Sequence, residues 1–170
     1  SLQTTSPSSS QDPIEDPQAE AYYLFLLGRH LEGENDIAGA IDAFERAAEL
    51  DLESADILSE LGAMYARNNR ADEAVVAAER ALQRDADSAE AHRILGMVHA
   101  AFAEGRNIET TRPRDQESNA GHAKTAIDHL ERARASELPD LGVLLQLGRL
   151  YLSTRAYDGA IEVLTELLDE

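Results

Sequence analysis

The sequence predicts an all-α solenoid of about eight helices, paired into four helix-turn-helix units, and three observations carry that prediction. Leu27-Gly28, Leu61-Gly62 and Leu95-Gly96 recur at a spacing of 34 residues, and Leu147-Gly148 follows 52 residues later. Ala40 and Ala74 are also 34 apart, Ala126 comes 52 after Ala74, and Ala160 another 34 on, with Ala47, Ala81 and Ala133 in the same register. Between these landmarks the apolar residues fall at helical spacing, as in Leu24, Leu27 and Leu31, then Ala40, Ile41, Phe44 and Ala47. Self-similarity at a fixed period is the mark of a repeat array. The shared excess of 18 residues (52 against 34) places one insertion inside the third unit, between its Leu-Gly pair and its alanine.

Residues 1–18 hold three of the five prolines and five serines, with only Leu2 and Ile14 as aliphatic residues. Such a stretch cannot bury enough apolar surface to offset the entropy of ordering it, so it is read as a flexible Ser/Pro-rich lead. It has no charged n-region and no apolar h-region, which excludes a signal peptide. A start at Ser1 rather than Met favours processing or truncation, and the reading leans to an exported or periplasmic protein over a cytoplasmic one. The repeat domain then spans 19–170, with units over 21–54, 55–88, 89–140 and 141–170.

In the first unit, helices are expected over 19–32 and 37–50, joined by the turn chemistry of Gly33-Glu34-Asn35-Asp36. Ser54 caps the next helix, over 55–67, and Asn68-Asn69 turns the chain into 71–84. Ser88 caps a fifth helix over 89–104. The insertion, about 105–120, is polar and charge-balanced, with Arg106, Arg112, Arg114, Glu109, Asp115 and Glu117 around Pro113, and reads as a solvated excursion. A sixth helix follows over 121–135. Pro139 disfavours helix in the residue before it, and Pro139-Asp140 closes the third unit. Helices over 141–153 and 157–169 complete the fourth, linked by Arg155-Ala156-Tyr157-Asp158. Glycine and alanine recur because only small residues let two crossing helix backbones come close.

Composition narrows the function. With 15 basic and 33 acidic residues the formal charge is −18, and no basic patch is segregated, which argues against a nucleic-acid surface. No cysteine is present to make a thiol nucleophile or a thiolate zinc site, and no apolar run is long enough for membrane insertion. His92 and His99, and His122 and His129, are each seven apart, which aligns each pair on a helix face. No further metal-ligand spacing accompanies them, so they are read as packed side chains. No phosphate-binding loop or nucleophile elbow occurs, and no catalytic residue, metal or cofactor is assigned.

The landmarks resemble the tetratricopeptide repeat family, whose 34-residue unit carries Leu-Gly and then Tyr in its first helix, and Ala, Phe and Ala in its second. Unit one matches with Leu24, Leu27-Gly28, Leu31, Ala40, Phe44 and Ala47, and unit two with Leu58, Leu61-Gly62, Tyr65, Ala74, Ala78 and Ala81. Unit three gives His92, Leu95-Gly96, His99, Ala126, Leu130 and Ala133; unit four gives Leu144, Leu147-Gly148, Tyr151, Ala160, Leu164 and Leu167. The family's proline near the end of the second helix is missing, with Leu52, Ala86 and Leu138 in its place. Ala78 is small where the family carries a large residue, which implies looser packing there.

The resemblance implies a right-handed superhelix whose concave wall is lined by the first helix of each unit. The wall residues it implies for binding are Tyr22, Phe25 and Arg29, then Ser59 and Glu60, Arg93 and Met97, and Gln146 and Arg149, with Leu26, Ile94 and Leu145 as further apolar positions. A wall of this kind suits a peptide or protein segment with an apolar anchor, and its arginines suit carboxylates. The family's clamp for chaperone C-terminal tails needs Lys and Asn, then Asn, Lys and Arg, where this chain has Phe25, Arg29, Glu60, Glu90 and Ile94. Two acids would meet the incoming carboxylates. The reading is therefore a non-catalytic interaction scaffold with a different ligand. The alternatives are a self-assembling structural module, or one part of a larger multidomain protein. Ile161, Leu164, Leu167 and Leu168 form an apolar stripe on the last helix, so either further repeats follow or this edge pairs with another copy.

Overall fold

The computed structural model describes residues 16–51, 53–105, 119–136 and 140–168. Its elements are α1 (Pro17–Gly33), α2 (Ile37–Leu50), α3 (Ala55–Arg67), α4 (Ala71–Arg84), α5 (Ala89–Ala103), α6 (Asn119–Arg134), α7 (Leu141–Ser153) and α8 (Tyr157–Leu168). Among the described residues there is no sheet. Each helix packs against the next, pairing α1 with α2, α3 with α4, α5 with α6 and α7 with α8, and the first helix α5 also touches its neighbours α3 and α7. That is a solenoid of stacked hairpins.

Caps fix where the helices start. Asp16 accepts from the Gln18 amide at 2.9 Å and Pro17 fills the first turn, so α1 begins inside the stretch read from sequence as flexible lead. The rest of that stretch, 1–15, lies outside the described residues. Ser54 accepts from the Ile57 amide and Ser88 from that of Ala91, each at 3.3 Å, and Asp140 accepts from that of Gly142 at 2.8 Å. Three of the four turns inside hairpins pass through a left-handed residue at the same repeat position, namely Asn35 (φ 63°), Asn69 (φ 61°) and Arg155 (φ 61°). Asparagine tolerates this conformation well; arginine adopts it here under the constraint of the tight link. The third unit differs. There α5 runs two residues further than its counterparts, to Ala103, and the left-handed residue after it is Gly105 (φ 65°). Most of the insertion, 106–118, lies outside the described residues, and α6 takes up Asn119 and Ala120 from its expected end.

The Leu-Gly landmarks sit where the two helices of a hairpin cross. A Cβ on Gly28 would lie 2.8 Å from the Phe44 ring, and one on Gly96 would lie 2.5 Å from Cγ of Leu130. In the second hairpin Ala78 takes the place of that large partner and is fully buried. The backbones close in instead: the Cβ position of Gly62 is 3.4 Å from the Ala74 carbonyl oxygen and from the Ala78 nitrogen. Phe44, Leu58, Met64, Leu130, Leu144 and Leu147 are the large side chains at the centre of the stack.

Candidate functional site

The wall residues expected from sequence fall into two groups. Near the first turn of α1, Tyr22 is 63% exposed and stacks on Phe25 with ring centroids 6.4 Å apart, and Phe25 rests in turn on Phe44 at 5.8 Å. Phe25 is therefore held in place by the core while Tyr22 presents a free ring face. The two line a hollow of about 760 Å³ with Ala19 and Ile57, and Asp16, Asp51, Ser54 and Asp56 form its polar part. One turn along, Arg29 bonds to Glu60, and Arg67 bridges Glu32 at 2.8 Å and Glu60 at 3.7 Å. The Glu60 carboxylate holds the Arg29 proton more tightly than usual.

The second group lies on α5 and α7. Arg93 makes a two-pronged contact with Glu90 and stands 3.8 Å from Asp140; the Glu90 hydrogen bonds raise its proton affinity against the cost of its burial. Gln146 is buried and donates to Glu104 at 2.9 Å, and Arg149, still 68% exposed, reaches the same carboxylate at 3.7 Å. Met97 is half-buried against the core of the last two hairpins. Ser59 is buried, its hydroxyl 3.3 Å from that of Ser88, and Ile94 belongs to the core. Leu26 and Leu145 are both more than half exposed.

So the arginines singled out for ligand carboxylates already face carboxylates of this chain. The wall gives an apolar hollow with acids at its edge at one end, and a set of internally paired charges elsewhere.

Sequence reasoning passed over three features. The acids Asp16 and Asp51 come from a cap and an inter-repeat turn, and the fold gathers them beside Asp56 at the start of α3. Arg134, its side chain 17% exposed, binds Glu131, Glu162 and Glu166 and so joins α6 to α8; these carboxylates outweigh the cost of burial and raise its proton affinity. Tyr65 donates to Glu45 and Tyr151 to Glu131, each across 20 residues, a spacing that was present in the sequence.

The sequence model of the tetratricopeptide repeat matches residues 25–89 and 117–170, most of the chain. The chain belongs to the tetratricopeptide repeat family. The tetratricopeptide match is interrupted over 90–116, a span that covers most of the insertion. Among solved structures the chain is similar to MamA, at 20% identity over 91% of this chain and 79% of that one, with a TM-score of 0.69. It is similar also to a thermophilic TPR protein of Thermus thermophilus, at 19% identity over 88% and 73% of the two chains and a TM-score of 0.67. The first TPR of Spaghetti (RPAP3), solved bound to an HSP90 peptide, superposes with a TM-score of 0.65 at 14% identity, over 84% and 99% of the two chains. These likenesses concern the fold. No curated protein matches the chain. Tetratricopeptide repeats generally mediate protein–protein interaction. Among the described residues no helix is long and apolar enough to cross a membrane.

Proposed function

We propose that the chain is a non-catalytic scaffold that captures an extended peptide or protein segment along its concave wall, anchored in the hollow beside Tyr22 and Phe25. The observation that carries this is the exposed Tyr22 ring over an apolar floor of Phe25, Ala19 and Ile57, edged by Asp16, Asp51 and Asp56. Aromatic surface of that size is poorly used against water, and a preformed hollow that joins apolar surface to placed polar groups is the usual form of a binding site. The edge favours a segment with an aliphatic or aromatic anchor beside a lysine or arginine. An acidic tail would have to displace Glu60 from Arg29 and approach Glu90, so a chaperone C-terminal peptide is not the proposed ligand.

Selection from a displayed random-peptide library, followed by affinity measurement, tests this reading. Enriched peptides should pair an apolar anchor with a basic neighbour. Tyr22→Ala and Asp56→Arg should each weaken them about tenfold, or about 1.4 kcal/mol, with helicity unchanged. Unchanged affinity in both variants would remove the hollow from consideration.

Self-assembly through α8 is a second reading, supported by one comparison within the chain. Ile161 is 64% exposed, whereas its repeat equivalent Val75 is 2% exposed, and Ile41 and Ile127 are half-buried. Light scattering decides between a monomer and an assembly that Ile161→Glu disperses.

A further inference from the structure

Four histidines meet inside the third hairpin. His92 on α5 and His129 on α6 approach with Nδ1 atoms 2.8 Å apart, and His99 and His122 do the same at 3.0 Å. The rings of His99 and His129 stack between the pairs at 6.5 Å, and Phe102 covers His99 and His122 at 6.1 and 5.2 Å. The other hairpins carry no such group. At the places of His92, His99 and His129 they hold Leu24, Leu58 and Leu144; Leu31, Tyr65 and Tyr151; and Ala43, Ala77 and Val163. Ionisable rings have thus replaced mostly apolar packing at one hairpin interface. Among the described residues no three His, Asp or Glu side chains are placed to share a cation. Within each pair the two ring nitrogens lie at hydrogen-bond distance.

The tautomers follow from the contacts. His92 Nε2 lies 3.0 Å from the Ala86 carbonyl oxygen, which only accepts, so Nε2 carries the hydrogen and Nδ1 of the neutral ring is bare. His129 must then donate through its own Nδ1. In the second pair, likewise, one Nδ1 donates and the other accepts. Each contact holds one hydrogen between two nitrogens, and a further proton on the accepting Nδ1 leaves two donors facing each other at hydrogen-bond distance.

We propose that these two histidine pairs are an acid-sensitive latch, which holds α5 against α6 while the rings are neutral and releases them when the rings take up further protons. The surroundings favour the neutral form. Burial, with His92, His99 and Arg132 adding to it and Asp128 opposing, pushes His129 down to about 4. Several charged groups around the hairpin are held by partners elsewhere. On α7 Tyr151 bonds Glu131, and on α8 Glu162 and Glu166 hold Arg134. On α3 Glu60 holds Arg29 and Arg67, and α4 places Glu79 at the repeat equivalent of Glu45 and Glu131. The sign is fixed by which form binds protons. An opened hairpin protonates His129 near its ordinary value of about 6.5, while the closed one resists. The closed form is therefore fully favoured above that pH, loses ground as the pH falls, and stops losing it near 4.

Amide hydrogen exchange of the full chain at pH 7.5 and 5.0, corrected for intrinsic rates, tests the latch. The α5 and α6 amides should open about ten- to thirtyfold more often at pH 5.0, the factor His129 alone implies, while those of α1 and α2 change much less. His129→Asn alone removes the ring whose closed form resists protonation, and should abolish the difference. A second variant, H92L/H99Y/H122A/H129A, borrows residues that other hairpins use and should do the same. Equal protection of α5 and α6 at both pH values in the wild type overturns the latch. So does an acid-induced difference that survives in either variant, and so do ring 15N shifts showing all four histidines titrating near 6.5.

Discussion

Tyr151 donates its phenolic hydrogen to Glu131 at 2.6 Å, from the first helix of one unit to the second helix of the unit before it. Tyr65 and Glu45 form the same contact two units earlier. Both phenols sit in the seam between repeats, so each bond ties successive hairpins rather than the two helices of one. The partners extend the tie: Glu131 also meets Arg134 at 3.2 Å, and Arg70 lies 4.4 Å above the Tyr65 ring. At the remaining seam the equivalent first-helix position is His99, which turns to His122 in its own hairpin. The stack is thus stitched across two of its three seams by the same device.

Replacing Tyr151 with Phe removes the bond and keeps the ring. A hydrogen bond to a charged acceptor contributes roughly 1.5–3 kcal/mol, and Glu131 retains Arg134 and some water, so a loss of about 1–2 kcal/mol is expected. Urea denaturation read by circular dichroism measures it. A midpoint identical to wild type would mean the seam is held by packing alone.

Alkaline titration tests the same contacts from the other side. Burial first, and then the carboxylates of Glu45 and Glu131, push the Tyr65 and Tyr151 phenols well above their ordinary value. Unfolded tyrosines ionise near pH 10, so the folded chain keeps two phenols neutral that the unfolded chain would ionise. Stability contributed by these groups is complete below about pH 10 and falls as the pH rises beyond it. Absorbance at high pH should show Tyr65→Phe/Tyr151→Phe losing only late-ionising signal. Early loss would contradict the seam geometry.

The glycines give a contrast that separates backbone entropy from packing. Gly96→Ala puts a methyl 2.5 Å from Leu130 Cγ and should destabilise by about 1–3 kcal/mol, as overpacked sites do. Gly62→Ala meets its neighbours at 3.4 Å, ordinary contact, so the helix-forming gain of up to about 1 kcal/mol should leave it neutral or stabilised. Thermal melts of the two variants side by side give the answer, and equal destabilisation would show that close approach matters at every hairpin.

The fold was legible because its determinants are local and periodic. Leu-Gly pairs and alanines mark helix crossings, and Ser54, Ser88 and Asp140 mark helix starts, each within a few residues of what it controls. The candidate site was legible only by position. Repeat register led to Tyr22 and Phe25 but could not tell that Ser59 and Ile94 turn inward, since which side of a first helix meets its neighbour depends on packing between units. Nor could it say that Arg29 and Arg93 are met by Glu60 and Glu90. The histidine pairs were visible as sevenfold spacings on two helices; that the helices set them nitrogen to nitrogen is a fact of the hairpin's register.

The longer α5 has a geometric consequence. Two extra residues advance a helix end by about 3 Å and rotate it by about 200° around the axis. The backbone therefore quits α5 from nearly the opposite azimuth to its departure from α1, α3 and α7, whose tight turns lead straight into their partners.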